Sequence, residues 1–392
     1  MTQIDLSSIK AGPAEVDRLT YTSPEIFELE RKNIFGRAWL FVAHASELKG
    51  KGSYRSCVIG GQPVVAVRGE DDEIRVFFNS CRHKGTTLVC ERAGSVEKLK
   101  CPYHHWTYST SGKLISVPRI EAYGEKFKLQ DHGLIEVPRV AVFHDLIFAS
   151  LSEEGPDLLA FLGPAAEYLL ESVTYSGEPL VSTGVYEYSY AGNWKLMMEN
   201  TLDDYHAEYL HDYAFAQRAD LFDMAGTSGF QEKEGTRWSV QLGIHGAFDQ
   251  QDDVRTLVIQ KERPRRVYVG IFPSFIALYH PIWDVTGFRV IEPVAVDRTI
   301  IRTYCLAPAS ASKEEIKAIG ERFHYSWGPG GRAGVDDVMI FDRVQQGLQA
   351  QSVGSVLINR GLHRDTHMGI AADDNAVRGF WAGWRQYMDV SK

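Results

Sequence analysis

Short apolar runs and turns alternate from Tyr54 to Phe78: Cys57-Val-Ile59, Val64-Val-Ala-Val67 and Ile74-Arg-Val-Phe77, parted by Gly60-Gly61 and Gly69-Glu-Asp-Asp72. Strands of this length and spacing predict a small antiparallel β-domain. Upstream, Ser23-Pro24-Glu25 has the features of a helix start: a capping hydroxyl, proline in the first turn and an acid near the positive end. Ile26, Phe27, Ile34 and Phe35 carry that helix towards Trp39, and residues 1–20 are expected to be irregular, lying over the surface or a neighbouring subunit. After about residue 155 the texture changes. Asp157–Val173 has helical spacing, Gly184–Tyr190 alternates, and a helical stretch runs from Trp194 to about Tyr213. Alternation returns at Trp238–Ile244, Thr256–Ile259, Arg266–Phe272, Phe275–Tyr279, Thr286–Ile291 and Thr299–Leu306, and two longer helices, Lys313–Tyr325 and Asp336–Gln351, are expected to close the chain. Strands followed by helices predict an α+β protein, a small antiparallel β-domain plus a helix-covered antiparallel sheet.

Composition narrows the class without changing this picture. The chain has 392 residues, 44% hydrophobic and 24% charged, with a net charge of −9. That is ordinary for a globular protein of two domains and unsuited to phosphate binding, so no nucleic-acid partner is expected. The longest apolar run, Ala141–Leu151, contains His144 and Asp145 and is too short to span a bilayer. No signal-peptide pattern opens the chain and its five cysteines suggest no disulfide framework, so a cytoplasmic location is expected.

The informative chemistry lies in two short clips. Cys81-Arg82-His83 and Cys101-Pro102-Tyr103-His104 are separated by seventeen residues, and each offers one sulfur and one nitrogen. Structural zinc sites usually pair Cys with Cys and His with His. Mixed clips suit a two-iron cluster whose irons differ in ligands, as in Rieske [2Fe–2S] centres, with Cys81 and Cys101 on one iron and His83 and His104 on the other. Both clips are expected on loops at strand ends.

A second stretch runs Asn193-Trp194-Lys195-Leu-Met-Met-Glu199-Asn200-Thr-Leu-Asp203-Asp204-Tyr205-His206 and on to His211. Histidines at i and i+5 point about 140° apart on an ideal helix, so His206 and His211 share a metal only if the helix ends or distorts between them. Asp203, three residues before His206, lies on the same helical face and is placed to accept the outer ring N–H of a metal-bound imidazole.

The segments Cys101-Pro-Tyr-His104-His105-Trp106-Thr-Tyr108, Gly112-Lys-Leu114 and Pro118 resemble those of the Rieske-type non-haem iron oxygenases, in their large catalytic subunits. His105 stands where that family usually has Gly or another small residue. The resemblance covers nearly the whole chain and implies an N-terminal arm and helix packed on the catalytic domain (1–42), a Rieske domain (43–155) and a catalytic domain (156–392). It implies a mononuclear iron held by His206, His211 and a carboxylate from Val335-Asp336-Asp337-Val, where the second acid, Asp337, is the expected ligand and Asp336 the runner-up. It further implies that Asp203 reaches a Rieske histidine of the neighbouring subunit.

Implied activity follows. Such a chain is a terminal oxygenase component that takes electrons from a ferredoxin or flavin reductase, and so from NAD(P)H, and uses O2 to hydroxylate an aromatic compound. The motif Glu199-Asn-x-x-Asp-x-Tyr-His resembles members acting on benzoate- or salicylate-like acids. Oxidative N- or O-dealkylation is the near alternative; a Rieske electron carrier or a zinc-stapled binding protein are the rivals from other classes. A homotrimer, with or without a small subunit, is the implied assembly. Met197, Met198, Leu202, Leu242, Phe272 and Leu278 are the first pocket candidates. Cys57, Cys90 and Cys305 read as packing residues, His363 and His367 as exposed surface, and Trp381 and Trp384 as core or subunit contact.

Overall fold

The computed structural model describes residues 6–163, 165–174, 176–203, 205–211, 240–244, 254–256, 267–280, 285–331, 333–363 and 373–390. The chain divides into two compact units, one of Phe35–Gly155 and one of Met1–Ile34 with Pro156–Lys392.

The first unit is built from three small antiparallel sheets. Its largest has four strands in the order Ile74–Phe78, Gln62–Arg68, Ser53–Ile59 and Ala93–Ser95. The alternating runs form its first three strands because Val65, Val67 and Phe77 point to one buried side. Ile59 and Gln62 pair across Gly60-Gly61, both at positive φ, the turn whose twist matches that of the strands. A Cβ on Gly60 would also sit 2.8 Å from the Phe35 carbonyl oxygen. A second sheet joins Lys98–Lys100, Thr107–Ser109 and Leu114–Ser116. The third sets Leu146–Ser150 between Arg139–Phe143 and Leu40–His44, so this unit begins ahead of the Leu40–His44 strand.

The second unit is organised by a sheet whose seven described strands run in the order Leu180–Tyr190, Arg298–Pro308, Val285–Ala295, Phe275–His280, Val267–Ile271, Val240–Ile244 and Val254–Thr256. Neighbours are antiparallel except Val240–Ile244 and Val267–Ile271, which pair in parallel. The residues of the expected strands that precede Val240, follow Thr256 or precede Val267 lie outside the described residues. The helix Lys313–Trp327 opens with a capping box in which Ser312 and Glu315 satisfy each other's backbone N–H groups. Its Ile319 and Phe323 bury against Leu278, Val285, Cys305 and Ala307. The helix Gly334–Gly347 follows.

Three expectations need correction. A further helix, Asn375–Met388, follows the two expected to close the chain, and on it Val377, Phe380, Trp381, Trp384 and Met388 form a buried stripe at helical spacing. Within the described part of the N-terminal arm, Glu15–Asp17 is a short strand paired with Ser355–Leu357, and Ile9, Ala11 and Val16 are buried where surface residues were expected. The stretch expected to be helical from Trp194 onward is two helices, Lys195–Thr201 and Tyr205–Leu210, parted at Leu202 and Asp203. Backbone N–H groups of Leu202 and Asp203 bond back to Met198, Glu199 and Asn200, closing the first helix before the second begins.

Glu30, on the Pro24–Glu30 helix, lies at the centre of this unit. Its carboxylate accepts from Lys195 Nζ at 2.6 Å, Trp384 Nε1 at 2.6 Å and Trp194 Nε1 at 2.8 Å, with Glu30 and Lys195 both 0% exposed. Three segments far apart in sequence are thereby fixed to one anion.

Candidate metal centres

In the first unit the two clips are built alike. The Cys81 carbonyl accepts from the Gly85 N–H at 2.9 Å, and the Cys101 carbonyl from the His105 N–H at 3.0 Å. Both donors stand at positive φ, 73° at Gly85 and 58° at His105. The family's preference for glycine at His105 therefore has a backbone cause, and histidine occupies that conformation at some energetic cost. Cys81 and Cys101 are buried in the core with Trp106 and Tyr108. Their imidazole partners lie nearer solvent, with His83 Nδ1 and His104 Nδ1 3.1 Å apart. Two nitrogens each about 2.1 Å from one tetrahedral ion lie roughly 3.4 Å apart, so this spacing fits a shared metal. Trp106 stacks on the His83 ring at 5.0 Å and fixes its plane. The Tyr108 hydroxyl accepts from the Arg82 N–H at 3.1 Å and lies 3.3 Å from Cys81 Sγ, where it can donate to a thiolate.

In the second unit the end of the Tyr205–Leu210 helix, between His206 and His211, solves the i,i+5 problem. His206 lies in the short second helix and His211 just beyond its end, which turns the two rings towards each other at 5.3 Å between centroids. Asp337 enters from the first turn of the Gly334–Gly347 helix. One ligand atom each of His206, His211 and Asp337 lies within 4.8 Å of the others. Asp337 Oδ1 is 3.2 Å from His211 Nε2 and 3.6 Å from His206 Nε2.

The outward nitrogens are occupied. His206 Nδ1 meets the Asp203 backbone carbonyl, and His211 Nδ1 lies 3.4 Å from Asp336 Oδ2. An oxygen behind each ring fixes the tautomer that presents Nε2 as a lone-pair donor, the arrangement of metal-binding histidines. Two nitrogens and one carboxylate on one side is the donor set of a non-haem iron facial triad, so the residues present fit that group. Burial by itself would lower the His211 pKa and raise that of Asp337. The hydrogen bond and charge that each receives from the other reverse both trends, leaving His211 raised and Asp337 lowered.

The Asp203 carboxylate is placed otherwise than expected. Its Oδ1 accepts from Arg360 Nη2 at 2.5 Å and from the Tyr205 N–H at 3.0 Å, while Oδ2 stays 3.9 Å from His206 Nδ1. The guanidinium draws the side chain towards it, and the Asp203 main chain serves His206 instead. Arg360 also pairs with Asp374 at 2.7 Å.

Sequence reasoning assigned no role to Asn200, yet its Nδ2 lies 3.1 Å from both His206 Nε2 and Asp337 Oδ1. Its place beside Glu199 in the quoted motif was the available signal. Of the pocket candidates, Met197, Met198 and Leu202 flank Asn200 on its own helix and are buried. Met198 and Leu202 press on Gly270, where a Cβ would lie 3.1 and 3.0 Å from their side chains. Leu278 packs under the Lys313–Trp327 helix, and Phe272 stacks on Tyr387. The side chain of Leu242 and all of His367 lie outside the described residues; His363 is exposed, and Trp381 and Trp384 are core. Among Cys57, Cys90 and Cys305, only Cys305 is buried; Cys90 is exposed.

A β-unit with mixed Cys and His clips, in one chain with a sheet unit that carries a two-histidine, one-carboxylate cluster, defines the class of iron-dependent terminal oxygenases. Residues 38–138 match the Rieske [2Fe-2S] domain family, and residues 178–389 match the ring hydroxylating alpha subunit (catalytic domain) family. The chain belongs to the ring-hydroxylating oxygenase alpha subunits. It is 31% identical over 356 residues to toluate 1,2-dioxygenase subunit alpha of Pseudomonas putida, covering 84% of this chain and 78% of that one. It is 28% identical to the anthranilate 1,2-dioxygenase large subunit of Acinetobacter baylyi, covering 91% and 82%. A naphthalene 1,2-dioxygenase variant bound to phenanthrene superposes with a TM-score of 0.79 at 25% identity, covering 100% of this chain and 95% of that one. The protein is accordingly an oxidoreductase, a Rieske non-haem iron oxygenase component that works with a [2Fe–2S] cluster and a mononuclear iron and is supplied with electrons by a reductase system. Among the described residues, no helix is long and apolar enough to cross a membrane.

Proposed function

We propose that this chain hydroxylates the ring of a small aromatic compound in aromatic catabolism, with Cys81, His83, Cys101 and His104 holding the cluster and His206, His211 and Asp337 holding the mononuclear iron. The observation that carries this reading is the convergence of two Nε2 atoms and one carboxylate oxygen, with an oxygen behind each imidazole. When bound, the iron supplies activation of O2 with electrons delivered from the cluster.

The protein's own residues set the conditions. The Asp203 carbonyl and the Asp336 carboxylate hold the Nδ1 protons and so fix both rings. Asp337, 6% exposed, supplies a buried negative charge. The Asn200 amide caps the open flank of the cluster of side chains at 3.1 Å. Met197, Met198 and Leu202 exclude water beside it. The relatives toluate, anthranilate and naphthalene dioxygenase bear the names of aromatic substrates, which supports ring hydroxylation as the reaction here. Asp203 is proposed as the link between the cluster of one subunit and the iron of the next in a cytoplasmic ring of three chains, with or without small subunits. A head-to-tail closed ring is the symmetry that permits such pairing.

The test combines metal analysis with products. Purified protein should contain about three irons and two sulfides per chain, two of the irons in the cluster. Asp337→Ala should lose the mononuclear iron and keep the cluster's visible spectrum, whereas Asp336→Ala should keep both. With reductase, NADH and O2, a ring-hydroxylated product is expected. An aldehyde released from an N- or O-alkyl arene, with no ring hydroxylation, would replace this reading by dealkylation.

A further inference from the structure

Arg289 is a buried cation with too few partners. It lies on the strand Val285–Ala295, is 3% exposed, and faces Ile276 and Thr303 across the sheet. That row continues to Gly270 on one side and Tyr186 on the other, and Gly270 lies under Met198 and Leu202 of the helix that carries Asn200. Of five N–H donors, one reaches the Met197 sulfur at 3.6 Å and one the Trp327 carbonyl oxygen at 3.3 Å, while Nε–H is buried without a partner. The guanidinium stands 5.1 Å from the Trp327 ring centroid. Among the described residues, no carboxylate lies within ion-pair distance of it.

A guanidinium taken out of water with a thioether, one carbonyl and an indole face for company is poorly compensated. The Met197 that it touches lies on the Lys195–Thr201 helix, whose Asn200 reaches Asp337 Oδ1 at 3.1 Å, so the cation stands close to the metal site. One buried, donor-rich cation among Met197, Trp327 and, at Gly270, Met198 and Leu202 suits a flat ring carrying an oxyanion. Guanidinium offers two parallel N–H groups to a carboxylate or sulfonate, a geometry that an ammonium lacks.

We propose that Arg289 anchors the substrate by its anionic group, so that the substrate is an aromatic carboxylate or sulfonate and not a neutral arene. This inference rests on the ring-hydroxylating role proposed above and adds the head group that the site recognises. Arg289 is a specificity-determining residue in this scheme, and the bond it makes to the anion also fixes which ring edge is presented.

The experiment is equilibrium binding to the iron-loaded holoenzyme without reductant, so that no turnover occurs. The probes are matched pairs, benzoate with benzamide and 2-naphthoate with naphthalene-2-carboxamide, together with benzenesulfonate. Wild type should bind the anion tighter than its neutral partner by roughly 10- to 100-fold, the range for hydrogen bonds to a charged group. Comparing benzoate with benzenesulfonate identifies which oxyanion fits better. Arg289→Gln should bring the ratio of each pair close to one, and Arg289→Lys should retain part of it, with the cluster spectrum as the check on folding. Equal binding of both members of each pair by wild type overturns the proposal even where Arg289→Gln does not fold, as does an undiminished ratio in a folded Arg289→Gln. Turnover separates the two levels of inference. Ring hydroxylation of neutral arenes alone leaves the function standing and removes the anchor, whereas no ring hydroxylation of either class removes the function itself.

Discussion

Glu199 offers the most quantitative test of the second unit. Its Oε1 accepts both from Tyr21 Oη at 2.7 Å and from Trp381 Nε1 at 2.6 Å, tying the helix before the metal residues to both ends of the chain. Burial pushes its pKa up to about 7; the hydrogen bonds from Tyr21 and Trp381 and the charge of Lys195 oppose the rise, and Asp374 adds to it. The folded-state pKa is thus raised above the unfolded value near 4.5. In that case the stabilising contribution is full below pH 4.5 and is lost as pH rises through 7, because the folded state holds the proton longer. The shift corresponds to about 3 kcal/mol at most. Part of the residue keeps contact with solvent, so roughly 1–3 kcal/mol is the expected size. Glu199→Gln imitates the neutral acid, since a single amide oxygen can accept both bonds now made to Oε1. The two proteins should melt together at pH 4, and the variant should melt about 2–6 °C higher at pH 8, at roughly 2 °C per kcal/mol for a unit of this size. Thermal melts of both proteins across pH 4 to 8 give the answer. Parallel curves would show that Glu199 does not hold a proton in the folded state, and the reasoning would fail.

Two further outcomes follow from the same unit. Lys195→Met leaves the Glu30 carboxylate buried with only two indole donors, and should destabilise by about 3–5 kcal/mol in urea unfolding; a loss below about 1 kcal/mol would show that the indoles suffice. Asp203→Asn should retain both metals, because its backbone carbonyl still serves His206, while cluster reoxidation in a single turnover slows by about 100-fold or more through loss of the charge held by Arg360; reoxidation at the wild-type rate would reduce Asp203 to an ordinary helix acid.

Local features were readable from the chain and long-range ones were not. The strands around Val65 and Phe77 and the Ser23 cap follow from alternation and capping chemistry, both confined to a few residues. Convergence of His206, His211 and Asp337 was legible only through the resemblance, since 126 positions part His211 from Asp337. The Asn375–Met388 helix escaped notice although Val377, Phe380, Trp381, Trp384 and Met388 are suitably spaced, because Gly379 and Gly383 weaken its propensity. Arg289 reads in sequence as an ordinary polar residue of an alternating strand, and its burial is visible only once the sheet is covered. The same holds for Arg360, whose hold on Asp203 spans 157 positions.

The Glu30 carboxylate also dictates a timetable. Trp384, one of its three donors, is 354 positions downstream, so the set of bonds around Glu30 is complete only after Trp384 has been synthesised. Phe35–Gly155 is contiguous and free of that constraint. During synthesis the Phe35–Gly155 segment is therefore available to fold as a unit while the Met1–Ile34 segment still lacks its partners from beyond Pro156.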